Sequence, residues 1–297
     1  MASSEFKTYH PIVNFIYFVA IIGFSMVCMN PIFLCLSLFM AFLYSAMLNG
    51  QKTALKRLLY LLPVIIFMAL LNPVFNHKGV TILTYLPDGN PLTAESVFYG
   101  AVSAVMVLGV IFWFSCYNEI MTNDKFIYLF GRIMPSFSLI FSMTLRFVPK
   151  FIKQLKILSM AQKTMGKDVF SGSIIKRIKN ITHIMSSVTT WALENAVDTQ
   201  DSMRARGYGL KNRTSFSIFR VAPKDIWALI FILMLSVYIL IGIALDKTKF
   251  IYYPKIEYAE FTFYGLSLYL AFLLLCIMPL AIEFVGVIRW KYLERKI

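Results

Sequence analysis

Charge is scarce in this sequence. Of its 297 residues only 15% are charged and 59% are hydrophobic, a balance foreign to a water-soluble domain of this length. The cysteines are few as well. Cys28, Cys35, Cys116 and Cys276 lie inside apolar runs without CxxC or other metal-ligand spacing, which argues against a disulfide framework or a metal cluster and leaves them as small packing residues. The three histidines, His10, His77 and His183, fall in separate segments and no HExxH is present, so no metal site is expected. There is no GxxxxGK[ST] phosphate loop: Gly166-Lys167-Asp168 lacks both the upstream glycine and the hydroxyl that would hold magnesium, so the chain has no means of hydrolysing ATP alone. Ionisable residues are nearly absent from the apolar runs. Glu283 lies about two turns from the end of the last one and reads as a snorkelling side chain, while Glu95 and Glu119 bracket the fourth as interfacial residues. With so little intramembrane charge, a proton relay is not expected, nor is a self-sufficient proton-coupled carrier.

What is present is hydrophobic length. Six runs stand out: Pro11 to Cys28, Pro31 to Met47, Leu58 to Leu71, Ala94 to Cys116, Ile226 to Leu245 and Phe261 to Ile288. Most match the roughly 17 to 25 apolar residues that a hydrocarbon core demands of a helix. The first has no small-residue cleavage site and is followed at once by the second, so it reads as a span rather than a secretion signal. The third is short before Asn72 and Pro73, so it borrows Val74 and Phe75, sits in thinned lipid, or is partly covered by neighbours. The expectation is an all-α polytopic membrane protein with about six transmembrane helices. Residues 1–116 hold the first four, 117–225 a cytoplasmic segment, and 226–297 the last two.

The net charge of +14 follows topology rather than forming one tract, which argues against nucleic acid as its partner. With the N-terminus in the cytoplasm, 25 Lys and Arg fall on the inner side against 4, Lys78, Lys247, Lys249 and Lys255, on the outer side. That asymmetry places both termini inside a cell membrane. Trp290 and Tyr292 sit where an interfacial aromatic belt belongs. Outside, Met29 and Asn30 before Pro31 form a tight hairpin, the stretch 86–91 is a turn by composition, and Thr81 to Tyr85 reads as a short strand.

The middle segment departs from plain membrane protein. From Phe137 to Ser159 apolar residues alternate with Arg146, Lys150, Lys153 and Lys156, the pattern of an amphipathic helix. Pro149 is expected to bend or restart it. After Gly166 and a Ser171-Gly172-Ser173 link, a second helix runs from about Ile174 to Met203, with Ile174, Ile175, Ile178, Ile181, Ile184 and Met185 mostly on one face, and stops at Gly207. Such helices lie at the membrane surface or pack on a partner, although the stretch 133–148 is apolar enough to dip into the bilayer. The second helix ends in Ser202-Met203-Arg204-Ala205-Arg206-Gly207-Tyr208-Gly209. An arginine fork at a helix C-terminus gains from the helix dipole and presents several donors to a partner's carboxylate. Basic residues also cap helix ends near anionic lipid, and the pattern alone does not choose. Glu194, Asp198 and Asp201 share one face upstream, as a solvated stripe or as ion-pair partners of Arg204.

Three stretches together resemble the transmembrane T component of energy-coupling factor (ECF) transporters, the family of the cobalt-importer permease subunit. They are Asn72-Pro73-Val74-Phe75 through Gly79 with Gly89-Asn90-Pro91-Leu92-Thr93; Leu145-Arg146-Phe147-Val148-Pro149 with Ala161-Gln162 and Gly166; and Ala205-Arg206-Gly207-Tyr208. The resemblance covers most of the chain, and the last stretch is its most specific part. It implies a non-catalytic scaffold with two cytoplasmic coupling helices, each ending in an Arg-bearing motif docked on one of two ABC ATPase subunits, identical or not. Those partners bind the ATP, and the chain carries no cofactor of its own. The same helices are implied to present apolar surface to a substrate-binding S component for a vitamin or transition-metal ion. In the second motif Arg206 is the arginine, with Arg204, Ala205 and Gly207 around it. The first motif, Ala161, Gln162, Lys163, Met165 and Gly166, has methionine where the arginine is expected, and Arg146 and Pro149 are implied as structural residues at its root. The readings this leaves beside it are a self-sufficient carrier or channel and a membrane-embedded enzyme, the latter lacking a polar intramembrane site.

Overall fold

A computed structural model describes residues 4–85, 90–131, 134–167, 173–208, 210, 219–258 and 262–294. The chain divides into two compact units, Met1–Phe126 with Phe219–Ile297 and, between them in sequence, Ile127–Ile218.

The first unit is a helix bundle: α1 (Pro11–Val27), α2 (Pro31–Asn49), α3 (Gln51–Phe75), α4 (Ala94–Ile120), α8 (Pro223–Ala244) and α9 (Phe263–Glu294). Five of these, α2, α3, α4, α8 and α9, are long and apolar enough to cross a membrane. The sixth, α1, has 17 residues, about 25 Å at 1.5 Å per residue and so near the lower limit for a span. The chain is an all-α polytopic membrane protein. Pro11, Pro31 and Pro223 open their helices at the first turn, where a missing N–H costs nothing. His10 and Asn30 cap α1 and α2 by accepting from Ile12 N and Ile32 N.

The third span is not short. α3 takes 25 residues, gaining Val74 and Phe75 at one end and Gln51 to Arg57 at the other. It runs through Pro63 and Pro73 because close packing on α4 supports it: the space for a Cβ at Gly100 is filled by the Ala69 carbonyl oxygen, an approach only glycine permits.

Aromatic side chains build the core. Phe6, Tyr17, Phe18 and Trp113 are buried and meet edge to face at 5.2–6.4 Å. Trp113 Nε1 donates to Ser37 Oγ at 2.9 Å, and Ser37 also meets Ser25 Oγ at 2.8 Å. The three cysteines Cys28, Cys116 and Cys276 are buried in this core, and all four are free thiols.

At one end of this unit the chain forms two small hairpins. β1 (Ile82–Tyr85) pairs antiparallel with β2 (Pro91–Thr93), and β3 (Phe250–Ile251) with β4 (Glu257–Tyr258). The expected strand at 81–85 is therefore present, while the turn residues 86–89 lie outside the described part. Glu95, in the first turn of α4, is buried: its carboxylate accepts from Thr81 N at 3.2 Å and Thr81 Oγ1 at 2.8 Å, tying the first hairpin to the start of α4.

At the opposite end, a turn of 3-10 helix, Phe6–Thr8, and the residues beside it form a strap. Glu283 of α9 does not snorkel. It is buried, with the Ser4 hydroxyl, Glu5 N at 2.9 Å and Phe6 N at 3.3 Å donating to it. Asp225 of α8 accepts from His10 N at 3.1 Å and Ala222 N at 2.8 Å. Lys125 of α5 (Asn123–Gly131) is buried and donates to the Lys7 carbonyl at 2.7 Å. Burial pulls the Lys125 ammonium down to about 8, helped by the nearby Lys7 and opposed by Asp225. The residues by which the chain leaves this unit, in α5, and re-enters it, in α8, are thus gripped by one segment.

The second unit is a pair of long helices, α6 (Pro135–Thr164) and α7 (Ile174–Ala205), packed against each other. Residues 168–172, with most of the expected Ser-Gly-Ser link, lie outside the described part. α6 is not among the helices apolar enough to cross a membrane. It runs through Pro149 without the restart that was one of the two expected outcomes there. The cost of an interior proline, about 3 kcal/mol, is offset by packing on the next residues: Phe151 meets Trp191 edge to face at 5.6 Å and stacks on Phe147 at 6.0 Å.

Candidate coupling site

Both long helices end the same way. At the C-terminus of α6, Gly166 has φ 76°, its N–H donates to the Lys163 carbonyl at 3.0 Å, and Lys167 N donates to the Gln162 carbonyl at 3.0 Å. At the C-terminus of α7, Gly207 has φ 75°, its N–H donates to the Arg204 carbonyl at 2.9 Å, and Tyr208 N donates to the Met203 carbonyl at 3.0 Å. This is one cap built twice, a left-handed glycine with two crossed bonds that satisfy the last carbonyls. Superposing the caps aligns Gln162 with Met203, Lys163 with Arg204, Thr164 with Ala205, Met165 with Arg206 and Gly166 with Gly207. Arg206 and Met165 therefore hold the same C-cap position. Both are exposed, Met165 at 70%. Ala161 falls one turn earlier, aligned with Ser202.

The pair runs antiparallel, since Lys150 donates to Asn195 Oδ1 at 2.6 Å and lies 5.5 Å from the Trp191 ring, while residues near 140 face those near 206. Leu139, Met143, Arg146 and Phe147 of α6 enclose with Ser202, Met203, Arg206 and Tyr208 a groove of about 880 Å³. From Leu139 to Met165, at 1.5 Å per residue, is about 40 Å. The two capped corners accordingly stand at opposite ends of one rod pair.

The groove at the Arg206 corner is basic. Among the described residues, Arg146, Lys150, Lys153 and Arg206 line it with a single carboxylate, Asp198. Of the acidic stripe, Asp198 is brought to the groove, and Glu194 and Asp201 are not among its lining residues. Arg204 and Ala205 are exposed outside it, and Pro149 forms part of its wall. An electropositive cleft whose rim carries a guanidinium at a helix C-terminus suits a partner carboxylate, which can accept two parallel N–H bonds from arginine. Asn195 and Thr199 were not singled out by sequence, though the spacing 195, 199, 202, 206 puts them on the face of Arg206. The first corner carries two lysines, Lys163 and Lys167, around Met165, where the second carries two arginines, Arg204 and Arg206. Apolar side chains remain open along the pair, among them Ile175 at 79%, Ile174 at 73% and Met160 at 69%. Among the described residues no group of His, Cys, Asp and Glu is arranged to hold a metal ion.

The model of the CbiQ cobalt transport protein family matches residues 7–216, both rods and both corners included. The chain belongs to that family. As a T component of the ECF type it is similar to the ECF transporter transmembrane protein EcfT of Lactobacillus helveticus, 36% identical over 100 residues, which are 33% of this chain and 36% of the relative. The corresponding protein of Staphylococcus aureus is 24% identical over 190 residues, 60% of this chain and 70% of the relative. That of Listeria innocua is 35% identical over 100 residues, 33% of this chain and 38% of the relative. The chain thus aligns with little more than a third of the first of these relatives. Membership accounts for a T component with apolar spans interrupted by an amphipathic rod pair.

Proposed function

We propose that this T component is the scaffold of an ECF-type importer, coupling ATP hydrolysis by two ABC ATPase subunits to uptake of a vitamin or transition-metal ion held by an S component. The observation that carries the reading is the repeated glycine-capped corner at the two far ends of one helix pair. A separation of about 40 Å is of the order of the diameter of a domain of 200 to 250 residues. Each corner therefore has room for its own ATPase, and closure of the ATPases on nucleotide is felt as a tilt of the rods. The open apolar faces of α6 and α7 receive the S component, whose affinity for the rods changes with tilt because linkage is reciprocal. The chain binds no nucleotide itself and needs no cofactor, nor does it bind nucleic acid. The excess of lysine and arginine on one side supports an orientation in which the strap end of the bundle and both termini face the cytoplasm.

Arg206→Ala tests the reading. Loss of a guanidinium paired with a buried acid costs about 2 to 5 kcal/mol of association, so ATP-driven uptake is abolished and the ATPases no longer co-purify through this corner. Unchanged uptake by that variant removes the assigned role. The rival reading, a self-sufficient carrier, requires the purified chain alone to move solute in proteoliposomes.

A further inference from the structure

The bundle holds a second cavity, of about 530 Å³, that the coupling role leaves unused. It lies where the last residue of α2, the second turn of α3 and the last turns of α4 converge. Arg57 enters it from α3, Asn49 from the end of α2 and Asn118 from α4, while Ile111 and Phe114 supply an apolar wall. Arg57 donates to Ser115 Oγ, which engages one of its five N–H groups. Asn49 Nδ2 is withdrawn from solvent and has no hydrogen-bond partner within the protein, so it has a donor to offer a group that enters the cavity. Glu119 stands at the same cavity, 4.0 Å from Lys7, and its charge disfavours a dianion there.

The surroundings narrow the ligand further. α3 and α4 are both membrane-spanning helices, and Phe114 on the cavity wall is 48% exposed. Arg57 is close to the end of α3, where an apolar span meets water and where arginine reaches the headgroup level. A donor cluster opening beside an apolar wall matches an amphiphile with one negative charge better than a free anion.

We propose that this cavity binds the phosphodiester headgroup of a membrane phospholipid. Arg57 and Asn49 donate to the phosphate oxygens, and Ile111 with Phe114 packs on the glycerol and upper acyl chains. The lipid thereby pins the α2–α3 corner to the end of α4.

Native mass spectrometry of the purified full chain, titrated with short-chain phosphatidylglycerol and phosphatidylethanolamine and competed with inorganic phosphate, tests this. Arg57→Gln weakens lipid binding by roughly tenfold, as expected for a lost charge-assisted bond. Asn49→Leu also weakens it, with no fall in melting temperature in delipidated detergent, since the amide has no partner inside the protein. Lys52→Gln removes an exposed charge outside the cavity and changes binding by less than about twofold. If Arg57→Gln does not fold, Arg57→Lys, which keeps the charge and loses the fork, shows the same direction. Wild-type binding by both the Arg57 and Asn49 variants overturns the site. So does an equal loss in Lys52→Gln, which signals diffuse surface charge, or full displacement by millimolar phosphate, which signals a free-anion site.

Discussion

At the residue scale, a few side chains are held in states whose removal has a calculable sign. Gly207 has φ 75°, and a Cβ there would sit 3.0 Å from the Leu210 side chain. Gly207→Ala is expected to cost about 1 to 2 kcal/mol at the end of α7, seen as faster hydrogen exchange of the Gly207 and Tyr208 amides together with weaker ATPase co-purification. Arg206→Lys keeps the charge and gives up the planar fork, so it should retain part of the uptake that Arg206→Ala loses. Lys125 carries a pH signature. Its folded pKa of about 8 stands below the ordinary 10.5, so between those values the unfolded chain binds the extra proton. Its contribution to stability is most unfavourable below pH 8 and is relieved as pH rises toward 10.5. Thermal melts in detergent across pH 7.5 to 10.5 should show that relief in the native chain and not in Lys125→Met.

At the scale of elements, the strap and the corners each make a prediction. Glu283 is the shared acceptor for the Ser4 hydroxyl and the Glu5 and Phe6 amides. Glu283→Ala leaves these donors without their acceptor at a cost of about 1 to 3 kcal/mol, measured as a lower melting temperature and as new proteolytic cleavage near residues 4–10. Glu283→Gln retains an acceptor oxygen and loses less. The corners predict a gain. Because Met165 and Arg206 occupy the same C-cap position, Met165→Arg gives the first corner the fork it lacks, and ATPase co-purification should rise rather than fall. A drop below the native level would show that the first corner is read through its apolar side chain.

At the scale of the whole molecule, the reading demands that the chain be inert by itself. Reconstituted alone it should pass no solute, and with two ATPases and an S component it should drive uptake on ATP. Cysteines placed at 165 and at 206 should cross-link to two separate ATPase subunits. Transport by the lone chain, or cross-links from both positions to one subunit, would dismantle the coupling scheme.

Much of this architecture could be read without coordinates. Span number follows from hydrophobic length, a property of consecutive residues, and the two corners follow from glycines behind amphipathic stretches, where backbone energetics are local. The readings that failed had a common cause: each depended on what distant residues supply. No restart occurs at Pro149, and the Trp191 ring that packs on Phe151 is invisible from residues 145–153. For Leu58 to Leu71 the borrowing of Val74 and Phe75 holds, and only the extension back to Gln51 went unread. Glu283 looked like a snorkelling side chain because hydropathy weighs a carboxylate without its donors, and its donors lie almost 280 residues away.

The sequence by itself therefore determined that this is a helical membrane protein with a basic amphipathic insert and an Ala-Arg-Gly corner, since composition, periodicity and capping act over a few turns. Only the tertiary structure decided that the corners stand at opposite ends of one antiparallel pair and that Asp198 joins four cations in a groove. It also decided that an unpaired amide and an arginine converge on one cavity. Those arrangements arise from close packing between elements far apart in the chain, where each side chain's environment is set by its neighbours in space.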